Sequence, residues 1–298
     1  MNDPLMVIND RCIGKDYPTY VVAELGINYN GDLTILCDMA LKAKESGADA
    51  VKIQMRTPEL CVPKEMWDIE RDTPWGRMTY INYRHKMELG YNDLMEFKEF
   101  CLRNKITMFA SVWDVEAFNR YLKWLSPPAV KIPSACITDH ALLQSVWRAN
   151  SEWDLPVIMS IGMSTEEQIK AAVRIYPWEQ LAILHCTSQY PCPNDHLDLR
   201  VIRWLIGEFS DDFVIGYSNH SPGIIHCPVA VALGANIIEA HFTLDRSMFG
   251  SDQAASFEPG GFARMVKYVR ATEDALGWDR PIVYGEEFDA AKKLRIIK

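Results

Sequence analysis

Short, nearly continuous apolar runs alternate along the chain with longer stretches in which apolar residues return every three or four positions. The runs are Tyr20–Leu25, Ala50–Gln54, Thr107–Ala110, Ala129–Pro133, Pro156–Ser160, Leu181–His185, Phe213–Tyr217 and Asn236–His241. Continuous rather than alternating hydrophobicity marks parallel strands covered on both faces. Between the runs, Leu33–Ser46 sets Leu36, Met39, Ala40 and Ala43 on one helical stripe. Ser164 followed by Glu167 reads as a capping box that opens a helix over Thr165–Tyr176. His196–Glu208, Gly223–Leu233 and Pro259–Leu276 also read as helices. Strands and helices in this alternation predict an α/β fold, a (β/α)8 TIM barrel. An open doubly wound sheet wants a glycine-rich turn after its first strand, and Glu24-Leu25-Gly26-Ile27-Asn28 offers a single glycine.

Two segments fall outside the repeat. Met55–Tyr91 is a long insertion after the second strand, with Trp67, Trp75, Tyr80, Tyr83 and Arg84. A loop of that length reads as a lid or binding loop, or as a surface flap. Residues 1–279 are expected to form the barrel domain, and 280–298 a charged tail.

Composition narrows the picture. With 298 residues and 48% hydrophobic content, the chain can bury a large core. A net charge of −9 disfavours nonspecific binding to nucleic acid or to an anionic membrane surface. It leaves room for an anionic small molecule, because a few lysines in a pocket override a diffuse field. The eight cysteines include no CxxC pair and read as reduced thiols, as in the cytoplasm. The opening MNDPLMVIND lacks the basic and apolar regions of a signal peptide. No segment approaches the ~20 apolar residues of a membrane span.

Candidate chemistry follows from where the polar residues fall. Glu24 lies near the end of the first expected strand, and Lys52 and Gln54 end the second. Lys131 and Ser134 flank the end of the fourth, and Ser160 ends the fifth. His185, Ser188 and Tyr190 come at and beyond the sixth. Ser218, Asn219 and His220 follow the seventh. Glu239 and His241 end the eighth, with Asp252 in the loop beyond. Seven of the eight strands thus deliver polar groups to the rim where barrels of this kind carry chemistry. Buried charges need partners or a ligand. Two readings of each lysine stand open: a core ion pair, such as Lys52 with Glu24, or an anion ligand. The serines read either as part of a phosphate cradle or as helix caps. His220 and His241 sit on adjacent strands, and two imidazoles there suit a first-row divalent ion with open positions. No HxH or HExxH motif is present, so spacing alone leaves metal binding open.

The rim residues sit inside motifs that resemble the N-acetylneuraminate (sialic acid) synthase family, which includes legionaminate and pseudaminate synthases. These are AELGINYNGD (23–32), GADAVKIQ (47–54), VKIPSACITD (130–139), PVIMSIGMST (156–165), LHCTSQYPCP (184–193), IGYSNHSPG (215–223) and IIEAHFTLDR (237–246). The resemblance implies a transferase of carbohydrate biosynthesis that condenses phosphoenolpyruvate with an N-acylated hexosamine and releases phosphate. It implies Glu24, His220 and His241 as catalytic residues, the two histidines as ligands of manganese, magnesium or cobalt. It implies Lys52, Lys131, Ser134, Ser160, Ser188, Tyr190 and Ser218 as the phosphoenolpyruvate set, and Gln54 and Asp252 as groups near the sugar. It also implies a homodimer.

Departures from the family pattern are Asn219 in place of Asp, Cys136 in place of a carboxylate, Ile161 in Ser-Ile-Gly-Met, Gly250-Ser251-Asp252-Gln253, and Asn28-Tyr29. Gly285–Lys298 resembles the linker to a C-terminal antifreeze-like domain, so the Met55–Tyr91 insertion is expected to cover the site instead. Two other functions compete: a Schiff-base aldolase with Lys52 or Lys131 as nucleophile, and a non-catalytic barrel that binds a sugar or phosphate.

Overall fold

The structure is a computed structural model that describes residues 4–176, 180–210, 212–277 and 280–296. Eight parallel strands close into a barrel: Tyr20–Gly26, Ala50–Met55, Thr107–Val112, Val130–Ile132, Val157–Ser160, Leu181–His185, Val214–Asn219 and Ile237–His241. Sequence neighbours are spatial neighbours all the way round, and the eighth strand pairs with the first in register Glu239 to Val22 and His241 to Glu24. The strands are buried almost throughout, as continuous apolar runs require. Each observed strand lies within two residues of its expected bounds. The third runs on to Val112 and so carries Ser111 into the barrel.

Helices wrap the barrel. Asp32 caps Leu33–Glu45 by accepting from the Thr34 and Ile35 amides. The helices Tyr91–Arg103, Val115–Leu125 and His140–Trp153 complete the alternation. One expected cap is displaced by a residue: the capping box uses Thr165 and Gln168, not Ser164 and Glu167. The Ser164 hydroxyl instead donates back to the Gly162 carbonyl. The expected helix from His196 divides into a short 3-10 turn, Asn194–His196, and the α-helix Val201–Phe209. The expected helix from Gly223 begins at His226.

At the opposite end from the site, a hairpin of Met6–Ile8 and Arg11–Ile13 covers the barrel floor. The Val7 amide donates to Gln180 and the Asn9 amide to Thr107, both at strand beginnings.

The insertion is a packed structure. It contains the helix Pro58–Cys61, the hairpin Glu70–Thr73/Gly76–Thr79 and the helix Tyr80–Met87. Tyr83 and Met87 form a small second core with Ile27, flanked by Met78 and Tyr80. Trp75 and Tyr83 meet Phe249 edge-on at 6.4 and 6.0 Å. The insertion is thereby fastened to the loops after the first and eighth strands. Asp114 anchors its root by accepting from the Thr57 amide and hydroxyl while it caps the helix at Val115.

The tail holds an exposed helix, Gly285–Leu294. The boundary expected at residue 279 lies outside the described residues. Among the described residues, no helix is long and apolar enough to cross a membrane.

Candidate active site

Four charged side chains meet at the mouth of the barrel. Lys52 pairs with Glu24, donates to the Ser111 hydroxyl oxygen and lies 3.8 Å from Glu239. Lys131 donates to Glu239 at 2.8 Å, and Ser218 donates to the other oxygen of that carboxylate at 2.9 Å. All four charged groups are at least 95% buried. Burial works against charge on Glu239, yet Lys131 and Lys52 outweigh it, so its carboxyl titrates well below the usual range. Burial lowers the pKa of Lys131 from the ordinary lysine value, with Glu239 opposing and Lys52 reinforcing. The lysines are therefore both ion-paired, as one reading of the sequence had it, and cavity-lining. An ammonium has three donors, and Lys131 spends one on Glu239.

Beside the amines lies a cavity of about 190 Å³, lined by Ser134, Ser160, Ser188, Ser218, Lys52 and Lys131 among others. The Ser160 hydroxyl is buried without a hydrogen-bond partner. Such a group costs free energy unless something arrives to meet it. Gly162 makes room for the hydroxyls. A Cβ there would stand 2.4 Å from Ser188 Oγ, 2.9 Å from Cys186 Sγ and 3.0 Å from Ser134 Oγ. Its amide donates to Ser134 at 3.0 Å.

Across the same cavity stand Tyr190, His220 and His241. The rings of His220 and His241 are 5.5 Å apart. His220 Nδ1 lies 2.6 Å from the Thr187 carbonyl. A carbonyl only accepts, so Nδ1 carries the proton and Nε2 offers a lone pair, here toward the Tyr190 hydroxyl at 3.1 Å. Burial, then His241, push the His220 pKa down to about 3, and the ring is neutral near pH 7. His241 Nδ1 is buried without a hydrogen-bond partner, 3.8 Å from the Asp252 carboxylate. The neutral His220 ring and the unpartnered nitrogen of His241 fit a divalent metal with open positions. Among the described residues no group of three or more His, Cys, Asp or Glu is assembled for a metal. Protein ligation there would rest on the two imidazoles.

Glu24 is positioned by a relay from the insertion root. Gln54 Nε2 donates to Glu24 Oε1 at 2.8 Å, and Arg56 donates to Gln54 Oε1. A guanidinium only donates, so it fixes which end of the Gln54 amide faces Glu24. Arg56 itself is held by Glu88 at 3.1 Å and by the Trp113 ring at 4.2 Å. Gly26, at φ +54°, lets these groups converge: a Cβ there would meet Glu24, Gln54 and Asp252 within 3.6 Å. Arg56→Met is expected to lower kcat between about tenfold and a hundredfold through loss of the Glu24 orientation. Combined with Gln54→Ala it should add little further loss, because both act through one amide. Steady-state kinetics on the two single variants and the double variant checks this.

The structure brings Glu24, Lys52, Gln54, Lys131, Ser134, Ser160, Ser188, Tyr190, Ser218, His220 and His241 to the lining of one cavity. Asp252 alone stands behind His241 rather than lining the cavity. His185 departs from the rim reading: its Nε2 lies 2.8 Å from the Leu197 carbonyl, which makes it a structural histidine. The family departures have local explanations. Asn219 donates to the Ser221 carbonyl at 2.7 Å while its oxygen accepts from Tyr217 and the Ser221 amide, a pairing aspartate cannot make. Cys136 donates to the Trp113 carbonyl, and burial pushes its thiol up to about 12. Asn28 donates to the Phe242 carbonyl, and Gln253 donates to the Asn28 carbonyl, which stitches the first and eighth loops together. Sequence reasoning missed Ser111, Gly162 and the role of Glu239 between the lysines. An expected strand one residue longer would have brought in Ser111.

Fold and site together define a (β/α)8-barrel enzyme with a buried cavity of lysines and hydroxyls facing a pair of imidazoles. Over residues 39–280 the sequence matches the NeuB family, and the chain belongs to that family. It is 33% identical over 271 residues to human N-acetylneuraminate-9-phosphate synthase, covering 90% of this chain and 74% of the relative. It is 32% identical over 273 residues to N,N'-diacetyllegionaminic acid synthase of Legionella pneumophila, covering 89% and 75%. Among solved structures it resembles the N-acetylneuraminic acid synthetase of Leptospira borgpetersenii, crystallised with citrate. That match has a TM-score of 0.85 and 29% identity, and covers 97% of this chain and 96% of the other.

Proposed function

We propose that this enzyme condenses phosphoenolpyruvate with the open-chain aldehyde of an N-acylated hexosamine, with manganese as its preferred divalent metal, and releases inorganic phosphate. The relatives named for N-acetylneuraminate 9-phosphate and diacetyllegionaminic acid support that acceptor class. The observation that carries the reading is the cavity itself. One wall presents buried amines, serines and an unpartnered Ser160 hydroxyl, and the other presents the imidazoles of His220 and His241.

In this reading the free donors of Lys131 with Ser134, Ser160 and Ser188 hold the phosphate and carboxylate of phosphoenolpyruvate. Fixing one substrate against the other removes much of the entropic barrier of a two-substrate reaction. When bound by His220 and His241, the metal supplies Lewis-acid polarisation of the aldehyde oxygen. C3 of phosphoenolpyruvate forms the new bond to the aldehyde carbon, whose oxygen gains a proton and becomes a hydroxyl. Water adds to C2, and Glu24, held by Lys52 and Gln54, accepts its proton. The C2–O bond to phosphate breaks as the C2 hydroxyl passes its proton to the departing phosphate, and C2 becomes the ketone.

The test is phosphate release from phosphoenolpyruvate with a panel of N-acylated hexosamines. Release should require both substrates, stop on chelation and return with manganese. A pyruvate adduct trapped on Lys52 or Lys131 by borohydride would favour the aldolase. Absence of release with every acceptor would favour a binding barrel.

A further inference from the structure

A second cavity, of about 460 Å³, lies between the insertion and the loop after the eighth strand. Arg71, Arg84, Tyr80, Tyr83, Phe249 and Ser251 border it, and the Asp72 carboxylate lines it with them. Arg84 is 6% exposed, and its Nη2 is buried with no hydrogen-bond partner. The neighbouring carboxylate, Glu88, is engaged by both the side chain and the backbone amide of Arg56. Arg84 therefore holds a desolvated donor with nothing to receive it, an arrangement that costs free energy in the empty protein. Arg71 lies over the rings of Tyr80 and Tyr83 at 4.6 and 4.9 Å. A guanidinium stacked in this way keeps in-plane N–H donors for a planar or tetrahedral anion.

The cavity is coupled to the active site by one short loop. Phe249 and Ser251 border it, and the Ser251 hydroxyl donates to Asp252 at 2.7 Å. Asp252 in turn faces His241. An acceptor with its aldehyde at the imidazoles and its chain running past Asp252 would bring its far end to the two guanidiniums. We propose that this cavity is an anion subsite for the acceptor. Arg84 and Arg71 receive a phosphate monoester or carboxylate carried at the end remote from the aldehyde, and Tyr83 and Phe249 form the apolar wall. The assignment to the acceptor rests on the condensation proposed above.

The experiment compares kcat/KM for an N-acylated hexosamine, its terminal phosphate ester and its terminal carboxylate analogue, in the wild type, Arg84→Met and Arg71→Met. Each variant is expected to lower kcat/KM for the preferred anionic acceptor by roughly tenfold to a hundredfold. The neutral acceptor and the KM for phosphoenolpyruvate should be unchanged. The anion that loses more identifies the group. Equal losses on neutral and anionic acceptors, or no loss, would overturn the subsite. Thermal unfolding of Arg84→Met supplies a second readout. Removing the unpartnered buried donor should leave the midpoint unchanged or raise it, whereas a lowered midpoint with uniform loss would assign a packing role.

If no acceptor supports turnover, calorimetric titration with a hexosamine 6-phosphate separates the two ideas. Saturable binding lost in both variants sustains the subsite while the condensation fails. Binding that is absent in the wild type, or retained in both variants, removes the subsite.

Discussion

Lys131→Met is expected to cost the fold about 3–5 kcal/mol and to eliminate phosphoenolpyruvate turnover. Lys131 is 1% exposed and donates to Glu239, whose other oxygen takes the Ser218 hydroxyl. Without the amine, Glu239 keeps only Lys52 as a cation, at 3.8 Å. A buried carboxylate left so weakly matched is the costly half of a broken pair. Adding Glu239→Gln should restore most of the stability, because the amide needs no counter-charge and can still accept from Ser218. Turnover should stay absent, since the donors for the anion are gone. Denaturant unfolding and phosphate release, measured on both variants, separate the stability loss from the functional loss. Recovery of activity in the double variant would mean that Lys131 serves only to neutralise Glu239.

Gly162→Ala is expected to raise the KM for phosphoenolpyruvate at least about tenfold with little change in folding stability. Gly162 is not among the positive-φ glycines, so its backbone accepts alanine without strain. The added methyl would stand closer to Ser188 and Cys186 than real Cβ contacts permit, and tightly against Ser134. Those side chains must move, and they line the cavity. The same substitution at Gly26 would act through the backbone as well, because φ there is +54°. Direct binding of phosphoenolpyruvate, measured calorimetrically, checks the Gly162 result. Wild-type affinity in that variant would show that the hydroxyls do not form the anion pocket.

The barrel was legible because its strands are buried on both faces. Leu181–His185 was bounded correctly at both ends, and the others within two residues, since a run such as Val21–Ala23 has no other use. The insertion was not legible. Its hairpin strands, Glu70–Thr73 and Gly76–Thr79, are exposed or half-exposed and carry no alternation that marks a strand. The helix Tyr80–Met87 buries Tyr83, Arg84 and Met87 against loops distant in sequence, which no local periodicity reports. At the site, residue types at strand ends revealed the lysines and histidines. Glu239 was visible at the end of its strand, but its partner lies 108 residues away. Arg84 stood out in the insertion without a role, and Gly162 gave no signal of its own, because one matters for a donor left unmet and the other for the space it leaves.

The central claim is that the lysine–hydroxyl pocket holds phosphoenolpyruvate for attack at carbon, with Glu24 receiving a proton from the water that adds to C2. Phosphoenolpyruvate labelled with oxygen-18 in the bridge between C2 and phosphorus tests this directly. Turnover with the acceptor sugar should place the label in the released phosphate, detected by its isotope shift in phosphorus NMR. Label retained in the keto acid would mean cleavage at phosphorus and would contradict the account.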